Sequence, residues 1–474
     1  MPDSDTIYDL AVIGAGSAAK AAATHARQLG KSVVMIERDQ PGGTCLNVGC
    51  IPSKLLLAAA AAQATAQSVA FTGLKTTAAP VDLAALVEDK DRFLALLRQR
   101  DHVDGTAEAG ITLLRGTASF IPVTAGELPT LTVAGADSDK LEITAQQVLI
   151  ATGAEPFVPA IAGLGGVDYL TSSTAMSLER VPESVLVVGG NAIGLEQAQL
   201  FSRLGSKVTV VEMASRIAPF EDSTISAVLQ HALSAEGMVF HTGSSVTNVR
   251  PTRNGVLATV ATGDGTLDLE AEKLLIATGR RPVTDGLGLA AVGVRTGSSG
   301  EIIADEHLRT THSRIWAAGD VTGHRQFVYV AGAQGVTAAN NALGDTLRTL
   351  DYTTVPRVTF TSPALASVGL TAAQAKELGV PCEIRELSLA KVPRAMVSRT
   401  TAGVVELVSD PVTGRLLGVH MVGADAGEVI TAATYALTAG FTVQQLATTW
   451  APFLTMAESL KLAAQVPPVR DERA

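Results

Sequence analysis

Tyr8-Asp9-Leu10-Ala11-Val12-Ile13-Gly14-Ala15-Gly16-Ser17-Ala18-Ala19 is the stretch that decides the fold. Tyr8 to Ile13 has the aliphatic character of a strand buried on both faces. It runs straight into a glycine turn followed by an alanine-rich helix. A second strand, Lys31 to Ile36, ends at Glu37, 23 residues after Gly14. Glycines in such a turn let the backbone approach a pyrophosphate at a helix N-terminus, and an acid closing the next strand accepts from a ribose hydroxyl. Gly14, Gly16, Ala19 and Glu37 are therefore the expected contacts of a first dinucleotide. A tight turn without ligand would explain the glycines alone; strand, helix, second strand and acid together favour the ligand.

The organisation repeats. Val185-Leu186-Val187-Val188 opens into Gly189-Gly190-Asn191-Ala192-Ile193-Gly194, and the strand Lys207 to Val211 ends at Glu212, again 23 residues on. Gly189, Gly194 and Glu212 are the expected contacts of a second dinucleotide, with Asn191 in place of the usual second glycine. Each unit is followed by a strand ending in Ala-Thr-Gly, at Ala151-Thr152-Gly153 and Ala277-Thr278-Gly279. Their placement marks domain crossovers, where glycine permits a small, tight turn. Arg314 to Asp320 reads as a further strand presenting Asp320. From about residue 351 strands alternate with amphipathic helices, and no nucleotide motif occurs. The expected architecture is α/β: two Rossmann-like dinucleotide-binding domains plus a C-terminal α+β domain. The boundaries are 1–152 with 280–350, then 153–279, then 351–474.

Composition agrees. The 474 residues suggest about three domains. Hydrophobic residues make up 47% and aromatics 4%, so the cores are aliphatic, as parallel α/β packing requires. The net charge is −10 and no basic cluster occurs, which argues against nucleic acid as a partner. No run long enough to span a bilayer is expected, and residues 1–6 do not read as a secretion signal. The default location is the cytoplasm.

Two of the three cysteines, Cys45 and Cys50, stand in Gly42-Gly43-Thr44-Cys45-Leu46-Asn47-Val48-Gly49-Cys50-Ile51-Pro52-Ser53-Lys54, directly after the first ribose acid. Close pairing in a reducing compartment points to redox chemistry or a metal site. A helix beginning at Thr44 would place both sulfurs near its N-terminal turns, where the dipole favours thiolate. A structural zinc site would need more Cys or His ligands at suitable spacing, and His25 and His102 have none. Cys382 is isolated and reads as a passive thiol.

Together the cysteine motif, the two fingerprints, the Ala-Thr-Gly turns and Ala318-Gly319-Asp320 resemble the class I pyridine nucleotide-disulfide oxidoreductases across essentially the whole chain. The resemblance implies a glutathione reductase-like fold, FAD on the first fingerprint, NADH or NADPH on the second, and a homodimer built on the third domain. It further implies that Cys50 is the flavin-facing thiolate and Cys45 the outer sulfur. Lys54 would pair with Glu196 beside the flavin and Asp320 would hold its ribityl chain. Gly43, Thr44, Thr152, Gly153 and Gly279 fall at cofactor-binding positions of the same motifs.

Members acting on organic disulfides carry a His-Pro-Thr…Glu segment near the C-terminus. Here the matching stretch is Pro452-Phe453-Leu454-Thr455-Met456-Ala457-Glu458, with Phe453 where the histidine belongs and Glu458 retained. General acid–base help is worth about 10²–10⁴ in rate. A soft cation held on thiolates needs no such proton transfer.

Leu454 to Gln465, Val392-Pro393-Arg394-Ala395 and Gln326-Phe327-Val328-Tyr329-Val330 resemble the mercuric reductase branch. This implies Hg²⁺, arriving as a thiol complex, as the substrate carried by Cys45 and Cys50. Tyr169 matches a metal-site tyrosine of that branch, or else is a packed aromatic near the crossover. The branch's C-terminal vicinal cysteines are missing from 466–474, so mercury would reach Cys45 and Cys50 directly. Whether that tail is native or follows a shift of reading frame stays open. Glu212 favours NADH, since a carboxylate repels a 2′-phosphate. Arg216 nearby reads either as a phosphate contact or as a solvated surface residue.

Overall fold

The computed structural model describes residues 6–67, 69–122, 124, 126–135 and 140–469. Contacts divide the chain into two compact units: Met1–Ser53, Ala85–Phe157 and Gly279–Asp351 form one, and Lys54–Ala84, Val158–Thr278 and Tyr352–Ala474 the other.

In the first unit Ile7–Ile13 lies parallel between Val33–Glu37 and Lys140–Ile150, with Thr112–Arg115 beyond the former and Ile315–Ala317 beyond the latter. Lys140–Ile150 also pairs antiparallel with Thr130–Ala134, which pairs with Thr117–Phe120. Helix Ser17–Gln28 buries Ala18, Ala19, Ala22, Ala23 and Ala26, and these small side chains allow a very close crossing with helix Val328–Leu343. A Cβ at Gly335 would lie 2.2 Å from the Ala18 carbonyl oxygen, so glycine is required there.

The second unit holds three sheets. The parallel one runs Val239–His241, Lys207–Val211, Ser184–Val188, Lys273–Ile276, Tyr169–Thr171. A three-stranded antiparallel meander follows at Ser245–Thr252, Gly255–Thr262 and Gly265–Ala271. The third sheet is antiparallel: Arg357–Thr359, Ala364–Gly369, Leu416–Gly423, Val404–Ser409, Glu383–Ser388. Helices Ala426–Thr438 and Glu458–Gln465 contribute Val429, Ile430, Ala433, Leu460 and Ala463 to its core.

Two expectations are corrected. The cysteine segment is not one helix from Thr44. It forms a short helix, Gly43–Asn47, and then a long one, Cys50–Gln67. The chain leaves the helix at Val48, whose φ of −142° is not helical, and Gly49 then passes so close to Thr44 that a Cβ would meet its carbonyl oxygen at 2.8 Å. Secondly, the helical run Gly43–Gln67 is long and apolar enough, by length and composition alone, to cross a membrane. Leucines and alanines from Leu55 to Ala62 give it that character, and Lys54 is the one charged residue between Gly43 and Gln67.

Candidate active site

The first fingerprint forms a cradle fitted to a dinucleotide. Gly14 has φ +110° and a Cβ there would meet the Ala151 carbonyl oxygen at 2.5 Å, while a Cβ on Gly43 would lie 2.7 Å from Gly16 Cα. The cysteine loop and the phosphate loop therefore pack backbone on backbone. Gly16 precedes helix Ser17–Gln28, leaving the amides of its first turn for an anion. Ala19, at the third glycine position, is fully buried under the turn. Glu37 accepts from Ala15 N through Oε2 at 2.9 Å and from Asp39 N through Oε1 at 2.8 Å. The carboxylate is thus fixed, with lone pairs left for ribose hydroxyls.

The second fingerprint repeats these contacts. Glu212 accepts from Gly190 N at 2.6 Å and from Ala214 N at 2.7 Å. A Cβ on Gly189 would meet the Ala277 carbonyl oxygen at 2.3 Å, and one on Gly194 the Gly189 carbonyl oxygen at 2.0 Å. Arg216 donates to the carbonyl oxygens of Pro219 and Glu221, each at 3.1 Å. Its guanidinium is thereby engaged with backbone rather than spread into solvent.

The two Ala-Thr-Gly turns are tied together. Thr152 Oγ1 donates to the Val283 carbonyl at 2.6 Å, Val283 N to the Gly153 carbonyl at 3.0 Å, and Phe157 N to the Gly279 carbonyl at 2.9 Å. Strands Ala154–Pro156 and Arg280–Pro282 pair antiparallel between these bonds. Out of this ribbon comes Arg280, which the sequence reading missed. Its guanidinium donates to the Ala154 carbonyl and, at 3.3 Å, to Thr44 Oγ1 in the cysteine helix. Asp320 opens a single 3₁₀ turn after the short strand Ile315–Ala317. Desolvation pushes its carboxyl above the ordinary range and the Arg280 charge pulls it back. A desolvated carboxyl is a suitable acceptor for the hydroxyls of a ribityl chain.

Cys45 lies half-buried in the first turn of its short helix, and Cys50 is exposed at the first residue of the long one. Asn47 holds the loop between them: its amide donates to the carbonyls of Gln40, Pro41 and Gly43, and its oxygen accepts from Arg98. Among the described residues no group of three or more His, Cys, Asp or Glu is arranged to hold a metal ion.

In the second unit Lys54 Nζ lies 2.8 Å from Glu196 Oε2, and Glu196 Oε1 accepts from Phe360 N at 2.9 Å. The Phe360 ring faces the same ammonium, 4.5 Å away, a cation–π geometry. Tyr169 begins an edge strand and is 36% exposed, so it is not a packed core aromatic. Phe453 is 71% exposed. Glu458 Oε2 accepts from Leu454 N at 3.3 Å. Residues 470–474, the end of the tail in which cysteines were sought, lie outside the described residues.

Residues 8–335 match the family described as pyridine nucleotide-disulphide oxidoreductase, and 355–464 match its dimerisation domain. The chain belongs to that family: it is an FAD-dependent oxidoreductase that uses a nicotinamide nucleotide, and its dimerisation domain supports a homodimer. Among its relatives, a mercuric reductase of Streptomyces lividans is 53% identical, over 98% of this chain and 97% of that protein. One of Staphylococcus aureus is 44% identical, over 97% of this chain and 82% of its own length. Among solved structures, a Cu(II) complex of the HOCl-induced flavoprotein disulfide reductase RclA of Escherichia coli superposes with a TM-score of 0.86 at 30% identity, covering 97% and 99% of the two chains. LpdA of Mycobacterium tuberculosis gives 0.86 at 29% identity, covering 96% and 98%.

Proposed function

We propose that the protein reduces Hg²⁺, presented as a thiol complex, to Hg⁰ with NAD(P)H: NAD(P)H + Hg²⁺ gives NAD(P)⁺ + H⁺ + Hg⁰. The observation that carries this reading is near full-length identity of 53% to a relative named mercuric reductase. Phe453 supports it, because an apolar ring cannot take the proton that an organic dithiol must release. FAD, when bound, supplies the two-electron relay between nicotinamide and sulfur. Cys45 and Cys50 hold the soft cation as thiolates. Lys54, oriented by Glu196, and Tyr169 and Glu458 are the further residues assigned to catalysis in this reading. Gly14, Gly16, Ala19, Glu37, Gly43, Thr44, Thr152, Gly153, Gly279 and Asp320 bind FAD, and Gly189, Gly194 and Glu212 bind the nicotinamide nucleotide. The corresponding domains are 1–152 with 280–350 for FAD, 153–279 for NAD(P)H and 351–474 for the dimer interface. The proposed location is the cytoplasm.

The test is NAD(P)H oxidation by the purified yellow protein with Hg²⁺ and excess small thiol, against lipoamide and glutathione disulfide. Metal-dependent oxidation well above either disulfide is expected. Its absence removes the reading.

NADH is the proposed donor. Glu212 is held by two backbone amides in the same way as Glu37, which suits two ribose hydroxyls and repels a phosphate carrying about −1.5 to −2 charges. Arg216, bonded to two carbonyls, is not placed to offset that repulsion. We expect kcat/KM for NADH to exceed that for NADPH by about tenfold or more, roughly 1.4 kcal/mol of differential binding. An NADPH advantage would refute it.

A further inference from the structure

We propose that Phe360 is a positioning residue for Lys54: its ring and its backbone amide, clamped by helix Ala192–Leu204, hold the ammonium of the Lys54–Glu196 pair in one orientation. The proposal rests on the reading above, in which Lys54 acts in catalysis. All the residues it uses belong to the second unit.

A lysine ammonium ends a flexible four-carbon stem and carries three donors, so one carboxylate partner leaves its direction loose. Here it is met from two sides. Among the described residues Glu196 Oε2 is its one hydrogen-bond acceptor, and the Phe360 ring covers it at 4.5 Å from the centroid. The other oxygen of Glu196 accepts from Phe360 N at 2.9 Å. Carboxylate, ammonium, ring and amide thus close a loop of contacts. Glu196 is 6% exposed, so water screens that loop weakly.

The helix behind the ring fixes it. Glu196, Gln199 and Arg203 share one face of helix Ala192–Leu204, three and then four residues apart. Gln199, 1% exposed, pairs with both backbone groups of Ser362: its oxygen accepts from Ser362 N at 2.8 Å, and its amide donates to the Ser362 carbonyl at 2.7 Å. Arg203 donates to that carbonyl at 2.9 Å and is gripped by Glu236 at 2.7 and 2.9 Å. Three helix residues therefore set the main chain from Phe360 to Ser362. The ring, 47% exposed, is placed by that backbone rather than by core packing.

The experiment reads the two-electron midpoint potential of the bound flavin against a reference dye, in the Cys45→Ala/Cys50→Ala holoprotein, where the sulfurs no longer take up electrons. A cation held in the field of a redox group favours its more negative, reduced state. Lys54→Met is expected to lower the potential by about 30 mV or more, a tenfold change in the reduction equilibrium. Phe360→Leu, which keeps the backbone amide, should lower it by about half as much; Phe360→Tyr, which keeps the ring, should restore it; and Phe360→Leu should add nothing once Lys54 is methionine. A fall in Lys54→Met with none in Phe360→Leu overturns the proposal alone, as does an undiminished Phe360→Leu effect in the Lys54→Met background or equal falls for leucine and tyrosine. A potential unmoved by Lys54→Met overturns the catalytic reading of Lys54 and the proposal with it. The readout contains no mercury, so it is independent of the substrate.

Discussion

Cys45→Ala and Cys50→Ala are each expected to lower Hg²⁺-dependent NAD(P)H oxidation by about 10³-fold or more, and the double substitution to lose little further, because residues acting as a unit are non-additive. One sulfur cannot hold the cation and receive two electrons as the pair does. Cys45 and Cys50 stand in separate helices, Gly43–Asn47 and Cys50–Gln67, so each sulfur has its own backbone support. Bleaching of the yellow colour by NAD(P)H should persist in both variants, since Glu37 and Glu212 are untouched. Metal-dependent turnover surviving in either single variant would place the chemistry elsewhere.

Glu406→Gln is expected to stabilise the folded protein increasingly as pH rises. Glu406 is 1% exposed, and no donor meets its carboxyl oxygens among the described residues; the one polar partner is another carboxylate, Asp222, with which a bond forms only while Glu406 holds its proton. Burial, then the negative charges of Asp222 and Glu386, pushes its carboxyl up to about 8. The residue belongs to a polar file across the antiparallel sheet. Register places Arg357 beside Ser367, Ser367 beside His420, His420 beside Glu406, and Glu406 beside Glu386. At one end Arg357 grips Glu221 at 2.5 and 2.8 Å, and Ser367 donates to the same carboxylate. There burial raises the Glu221 carboxyl, but the Arg357 and Ser367 bonds outweigh it and hold it below the ordinary range. Thr224 donates to Glu386. His420 Nε2 meets the Leu370 carbonyl at 2.9 Å, and burial keeps the ring neutral. Among the described carboxylates of this file, Glu406 is the one that no donor meets.

The sign follows from linkage. The folded carboxyl titrates near 8 and the unfolded one near 4.5. The stability tied to its protonated form is whole below pH 4.5 and lost progressively up to pH 8, at about 1.4 kcal/mol per pH unit. Glutamine stays neutral throughout, so the gap between variant and parent should widen at about that rate from pH 5 to 7. Urea midpoints at pH 5, 6, 7 and 8 measure it; parallel pH profiles would show that Glu406 finds a partner when ionised.

The cysteine motif, both fingerprints and both crossover turns were legible because each is a local device. Gly14 directly follows one strand and Glu37 ends its parallel neighbour in the same unit, and the spacing between them is set by a turn, a helix and a strand of ordinary length. Phe453 was legible for a related reason: a missing histidine removes chemistry wherever the fold puts it. The break at Val48 was not, because helix signals run through it; only the structure shows its non-helical φ of −142°.

What the sequence by itself determined is the class of fold and the identity of the reacting groups, since glycines, acids and cysteines at fixed spacing leave the backbone few alternatives. Arg280 and Thr44 are 236 residues apart, and Glu196 and Phe360 are 164 apart. Their meeting, like the file from Arg357 to Glu386, depends on crossovers and strand register. Only the tertiary structure decided those, because charge and hydrogen bonding act through space and long-range pairing leaves no periodic trace along the chain.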